Sequence, residues 1–267
     1  MIGTLEEHLI TMKQEMEAFQ PDRVAIDSLS ALERVAPLKS FREFVIGLTS
    51  FIKHREVPGL FTATSDTFNQ RNIHCTVRES IGRFRPVVSQ ARQTGMAVRG
   101  YISTATHCPF EGPIPPSRVT QVMRDLLDLG IEEISLGDTI GRATPSDIRR
   151  LLDEVTPHIG HAKVSLHFHD TYGMAVANVL TAWTDYGIGS FDTSAGGLGG
   201  CPYAPGASGN VATEDVVYAL RASGAIVEVD ERLVVNAAQQ VGAALNRPLT
   251  SRLSSVYHRH TTYEAVR

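Results

Sequence analysis

Short apolar runs alternate with amphipathic stretches of helical spacing along this chain, and that alternation constrains its fold more than any motif. The candidate strands are RVAID (23–27), GLFTAT (59–64), VRGYIST (98–104), EEISLGD (132–138), KVSLHFHD (163–170) and GSFDTS (189–194). Between them lie FREFVIGLTSFIKHR, ESIGRFRPVVSQARQTG, SRVTQVMRDLLDLG and PSDIRRLLDEVTPHI. Parallel neighbours need a crossover of a dozen or more residues, so strand, helix, strand at this spacing makes parallel βαβ units. The expectation is an α/β fold with an incomplete (β/α) barrel-like parallel sheet of about six strands, where a closed barrel needs eight. Such a sheet stays open, is filled by the N-terminal helix, or pairs with a second copy as a homodimer. The whole chain, 1–267, reads as a single fused domain.

Several of these strands end in polar residues: Asp27, Asp138, His167 with His169, and Asp192 with Thr193 and Ser194. Parallel α/β folds place their sites at the carboxyl ends of the strands. Composition narrows the partners. The 267 residues are 42% hydrophobic and carry a formal net charge of -4, which gives no electrostatic case for nucleic acid or an anionic membrane. No apolar run approaches the ~20 residues of a membrane span. MIGTLEEHLITMKQEMEAF reads as an amphipathic helix, not a signal peptide. Three widely spaced cysteines, Cys75, Cys108 and Cys201, argue for a reducing, cytoplasmic compartment and against a disulfide framework.

Three stretches carry chemistry. In SLHFHDTYGMAVANVL, His167 and His169 lie two apart on a strand and share a face. They read either as strand-end polar residues or as two ligands of a divalent ion. Asp170 orients an imidazole or caps the following helix. In SLGDTIGRATP, Asp138 enters a Gly-punctuated loop, either as a turn and cap or as a group in the pocket; Thr144 or Ser146 caps the next helix, with Pro145 early in it. In DTSAGGLGGCPYAPGASGNVATED, a Gly- and Pro-rich loop brings backbone close to a ligand. Cys201 in that loop can act as acid or base, and Asn210 offers a carbonyl oxygen to a hard cation. No GK[ST] follows, so it is not a phosphate loop. His74 and Cys75 read as opening a helix, Cys108 and Trp183 as packing, and His258 with His260 as a solvated tail.

SLGDTIG, HFHDTYGMAVAN, GGLGGCPYAPGASGNVATEDVVY, RNIHCTVRES and VRGYIST resemble 3-hydroxy-3-methylglutaryl-CoA lyase, one of the metal-dependent TIM-barrel lyases. The resemblance runs from about Thr62 to Arg252. It implies a divalent cation, Mg or Mn, on His167, His169 and Asn210, with Cys201 as loop acid/base and Asp138 in the substrate site. It also implies an acyl-CoA substrate and cleavage to acetyl-CoA and acetoacetate.

That family opens with a strand bearing Arg-Asp-Gly, whose Asp is a metal ligand; this chain has no such tripeptide. Residues 1–64 resemble instead the RecA-like ATPase domain of circadian-clock KaiC-type proteins, with VAIDSLSAL as a Walker B strand and Asp27 its carboxylate. No GxxxxGK[ST] precedes it, so neither ATP binding nor ATPase activity is expected. The chain then reads as an engineered chimera of an ATPase-derived piece (1–64) and a lyase-derived partial TIM barrel (65–267), carrying a vestigial site. The alternative is a working metal-dependent lyase in which Asp27 supplies the missing carboxylate.

Overall fold

A computed structural model of the chain describes residues 59–200, 209–246 and 248–257. Five of the expected strands lie there, and RVAID falls outside them. The strands are β1 (Gly59–Ala63), β2 (Arg99–Ser103), β5 (Glu133–Asp138), β6 (Lys163–Phe168) and β7 (Phe191–Asp192), paired in parallel in the order β1-β2-β5-β6-β7. Between β2 and β5 sits a small hairpin, β3 (His107–Cys108) with β4 (Gly112–Pro113), which the sequence pattern does not announce. Among the described residues the sheet does not close.

Most of the helices begin where the sequence supplies a cap or a first-turn proline. Ser65 accepts from the Phe68 amide to start α1 (Asp66–Ile73). Thr76 and Glu79 form a capping box on α2 (Val77–Gln93), and Thr144 with Asp147 form another on α4 (Pro145–Val155). Proline stands in the first turn of α3 (Pro116–Asp128). Asp170 accepts from the Ala175 amide at 2.9 Å and so caps α5 (Ala175–Tyr186). Two further helices follow, α6 (Thr213–Ala222) and α7 (Glu231–Ala244), the latter capped by Asp230. The reading of His74 and Cys75 as a helix start is corrected. His74 closes α1 in the left-handed region (φ 53°), and Cys75 is buried in the link before Thr76. The histidine ends the helix because its backbone has already left helical φ/ψ.

The two sheet faces differ. Leu60, Ile102, Ile134, Leu136, Val164, Leu166 and Phe168 alternate onto one face, and all are buried with Val88, Met123, Leu126, Ile148 and Leu152 of the helices. Burial of each such side chain contributes about 1.5–3 kcal/mol. Packing there is tight enough that a methyl group on Gly100 would stand 3.0 Å from Leu126 Cδ1. The opposite face carries Phe61, Arg99, Tyr101, Glu133, Ser135, Ser165, His167 and Asp192. Phe61 stacks on Tyr101 with ring centroids 4.3 Å apart and is 46% exposed.

That second face is concave. Arg99 on β2 reaches Asp192 on β7 at 2.8 Å, although β5 and β6 lie between them. Three strand spacings in a flat sheet are about 14 Å. The contact therefore requires a strongly curled sheet, the curvature of a barrel wall.

Candidate functional site

His167 and His169 follow one another on the concave side at the carboxyl end of β6. Beyond Phe168 the chain runs antiparallel to residues 209–211. The Val211 amide donates to Phe168 O (2.9 Å), the Asp170 amide donates to Gly209 O (3.2 Å), and His169 bridges Asn210. This ladder brings together residues far apart in sequence. Asn210 Nδ2 donates to Leu198 O at 2.9 Å, which turns its Oδ1 the other way.

His169 is 5% exposed, and its Nδ1 is buried with no hydrogen-bond partner among the described residues. Burial, then the charge of His167, pushes its pKa down to about 3, against the opposing pull of Asn210. The ring is therefore neutral at pH 7, with a lone pair to offer. The two imidazole centroids lie 5.3 Å apart, tilted by 48°. With nitrogen–metal bonds of about 2.1 Å, two rings on one ion at 90–110° have centroids roughly 4.5–5.3 Å apart. The pair and the Asn210 carboxamide thus fit a divalent ion as part of its ligand set. No third His, Cys, Asp or Glu joins them among the described residues.

Asp138 holds the turn after β5, the first of the two readings its sequence offers. It pairs with Phe168 in register, one residue out of phase with His167, and so projects from the other face. It is 2% exposed and accepts from the Ala143 amide (2.9 Å), the Thr106 hydroxyl (3.0 Å) and the Arg142 amide (3.2 Å). Burial outweighs those bonds and raises its pKa to about 6. Asp138 ties down the 139–143 loop, and that loop rests on the His169 strand end. Gly141 has φ +66°, and a Cβ there would meet His169 O and Thr171 N at 2.7 Å each. Cys201 and Asp27 lie outside the described residues, as do His258 and His260. Cys108 is buried against Ser65 (Sγ to Oγ 3.3 Å), and Trp183 packs partly buried against the core, both as expected.

One group escapes the sequence pattern, and a second shows there only as a strand-end acid without its partners. Glu214 is fully buried and accepts from the Gly196 amide (3.0 Å) and the Ser254 hydroxyl (2.7 Å), fixing the root of the Gly-rich loop. In sequence it looks like an ordinary first-turn acid. The Asp192 carboxylate is held by Arg99 and Ser135. Burial raises its pKa, but His167, Arg99 and Ser135 together hold it below the ordinary carboxylate range.

A parallel sheet with barrel-wall curvature and an imidazole pair at its carboxyl rim defines an α/β protein of the barrel kind, with its candidate site at the strand ends. Comparison with known proteins agrees. The signature of the HMGL-like family spans residues 49–241, and the chain belongs to that family. It is 46% identical over 195 residues to the cytoplasmic 3-hydroxy-3-methylglutaryl-CoA lyase of Mus musculus, covering 73% of this chain and 57% of the mouse protein. It is 44% identical over 213 residues to a 3-hydroxy-3-isohexenylglutaryl-CoA/hydroxy-methylglutaryl-CoA lyase of Pseudomonas aeruginosa, covering 80% of this chain and 70% of that one. The crystal structure of hydroxymethylglutaryl-CoA lyase from Pseudomonas aeruginosa superposes with a TM-score of 0.74 at 40% identity, covering 83% of this chain and 72% of that chain. The chain thus spans little more than half the length of its mouse relative. The family match starts at residue 49, inside the stretch read as ATPase-derived. The comparisons support the lyase part of the sequence reading and lend nothing to the ATPase piece. Among the described residues, no helix is long and apolar enough to cross a membrane.

Proposed function

We propose that this chain is a divalent-metal-dependent carbon–carbon lyase acting on a 3-hydroxy-3-methylglutaryl-CoA-type thioester, releasing acetyl-CoA and acetoacetate. One observation carries the reading: His167, His169 and Asn210 converge at one strand end in a chain of this family. These three residues would hold the ion, which when bound supplies Lewis-acid stabilisation of charge on the substrate hydroxyl and carbonyl oxygens.

The rest of the chemistry belongs to the chain. The bond between the carbinol carbon and the thioester α-carbon breaks. The hydroxyl gives its proton to solvent water and becomes the ketone of acetoacetate. The bonding pair passes to the α-carbon as the acetyl-CoA enolate, and the Cys201 thiol returns a proton to it. Asp138 serves by holding the 139–143 loop against His169. Asp27 is the candidate for the carboxylate that a hard cation ordinarily requires.

The absence of Arg-Asp-Gly favours the second reading, an inert scaffold with a vestigial site. Identities near 45% over some 200 residues favour the lyase. A coupled assay for acetoacetate with Mg²⁺ or Mn²⁺ in excess decides between them. Turnover that His167→Ala abolishes supports the lyase. A folded wild-type chain that shows none supports the scaffold.

A further inference from the structure

Holding an ion does not account for the polar network behind His167. Asp192 on β7 stands in register with His167 on β6. Its carboxylate receives Arg99 Nη2 at 2.8 Å on Oδ1 and 3.0 Å on Oδ2, and the Ser135 hydroxyl at 2.7 Å on Oδ2. The same Oδ2 lies 3.7 Å from His167 Nδ1. Arg99 is itself fixed: its Nε is 3.5 Å from Glu133, and its guanidinium sits 4.9 Å from the centre of the Tyr101 ring. Groups from β2 and β5 thus set the orientation of an acid on β7 that faces a histidine on β6.

A carboxylate facing one ring nitrogen of histidine favours the tautomer with the proton there and leaves the other nitrogen as the lone-pair donor. A separation of 3.7 Å is an ion-pair distance, longer than a formed hydrogen bond. Such bonds are often long before a ligand is bound. The hydroxyl and the guanidinium leave Asp192 little freedom to turn elsewhere, so the ring has a fixed partner to meet.

We propose that Asp192, clamped by Arg99 and Ser135, is a positioning residue that holds His167 as its Nδ1–H tautomer and directs the Nε2 lone pair into the space shared with His169 and Asn210. The inference rests on the reading of that space as an ion site, but its main test needs no ion.

Long-range ¹H–¹⁵N NMR of the full metal-free chain at pH 8 reads the tautomer of each histidine. The wild-type chain is expected to show His167 protonated on Nδ1, and Asp192→Ala to move the proton to Nε2. Ser135→Ala, which removes one support, is expected to give a mixture. Mn²⁺ affinity followed by electron paramagnetic resonance should weaken about 10–100-fold in Asp192→Ala. A wild-type His167 protonated on Nε2 overturns the proposal, and that result depends on no variant folding. So does a tautomer unchanged in Asp192→Ala. Failure of the lyase reading shows up separately, as a wild-type chain with the expected tautomer and no acetoacetate release.

Discussion

The two faces of the sheet are built from the same five strands, residue by residue in alternation, and they differ in what they do. The convex face is a run of buried aliphatic and aromatic side chains meeting α1 to α5. The concave face is a set of charges, hydroxyls and imidazoles meeting one another. In a doubly wound sheet both faces would be apolar, because helices cover both. Here a one-residue step separates the side chain that packs into the core from the side chain that faces the candidate site. Phe168 and Asp138 fall on one side of that step, and His167 and His169 on the other.

Substitutions on the two faces should therefore fail in different ways. Phe168→Ala is expected to have the largest effect on stability, a loss of about 3–5 kcal/mol in urea unfolding, from removal of a fully buried ring. Arg99→Ala on the concave face should cost about 2–3 kcal/mol. That is less than a fully buried pair, because Asp192 retains 21% side-chain exposure.

The pH dependence separates the faces further. His169 has its pKa lowered from 6.5 to about 3, so the unfolded chain binds the extra proton first. Its contribution is full above pH 6.5 and is lost as pH falls towards 3, with a slope of at most about 1.4 kcal/mol per pH unit. Asp138 has its pKa raised from 3.8 to about 6, so the folded chain binds the extra proton, and its contribution falls as pH rises across that window. The two slopes oppose each other. Urea titrations between pH 4 and 6.5 should show His169→Gln losing stability as pH rises, relative to wild type, and Asp138→Asn gaining it. Slopes that move in the same direction would break the contrast.

The smallest effect on stability is expected for His167→Ala, under about 1 kcal/mol, since the ring is partly exposed and buries little apolar surface. The same variant should abolish any lyase turnover. A large loss of stability there would mean that the concave face also holds the fold.

Much of this was legible in the sequence, and the exceptions have physical causes. Strands β1, β2, β5 and β6 were readable because each combines an apolar core with a polar carboxyl end. β7 was expected over 189–194 but pairs only at Phe191–Asp192, because Ser194 turns to bridge Ala212. The hairpin at 107–113 is two residues on each side, too short to give a period. His167 and His169 could be read from spacing on one strand. The placing of Asn210 needed the family resemblance, because its ladder partner is distant in sequence. Asp138 was read either as a turn residue or as a pocket group, and the face it takes follows from a register that the sequence does not state. Arg99 with Asp192 was invisible for a different reason: their meeting depends on curvature, which no local pattern encodes.

That ion pair is a chord drawn across an arc. A chord of fixed length sets the radius, and here the length is one arginine side chain plus one aspartate. The width of the trough in which His167 and His169 stand is thus a structural dimension with an adjustable strut, backed by the shorter Ser135 link from β5 to β7. A shorter cation in place of Arg99 would pull the arc tighter or let the strut go slack, and the separation of groups along the rim would follow, with no change to any residue that touches a substrate.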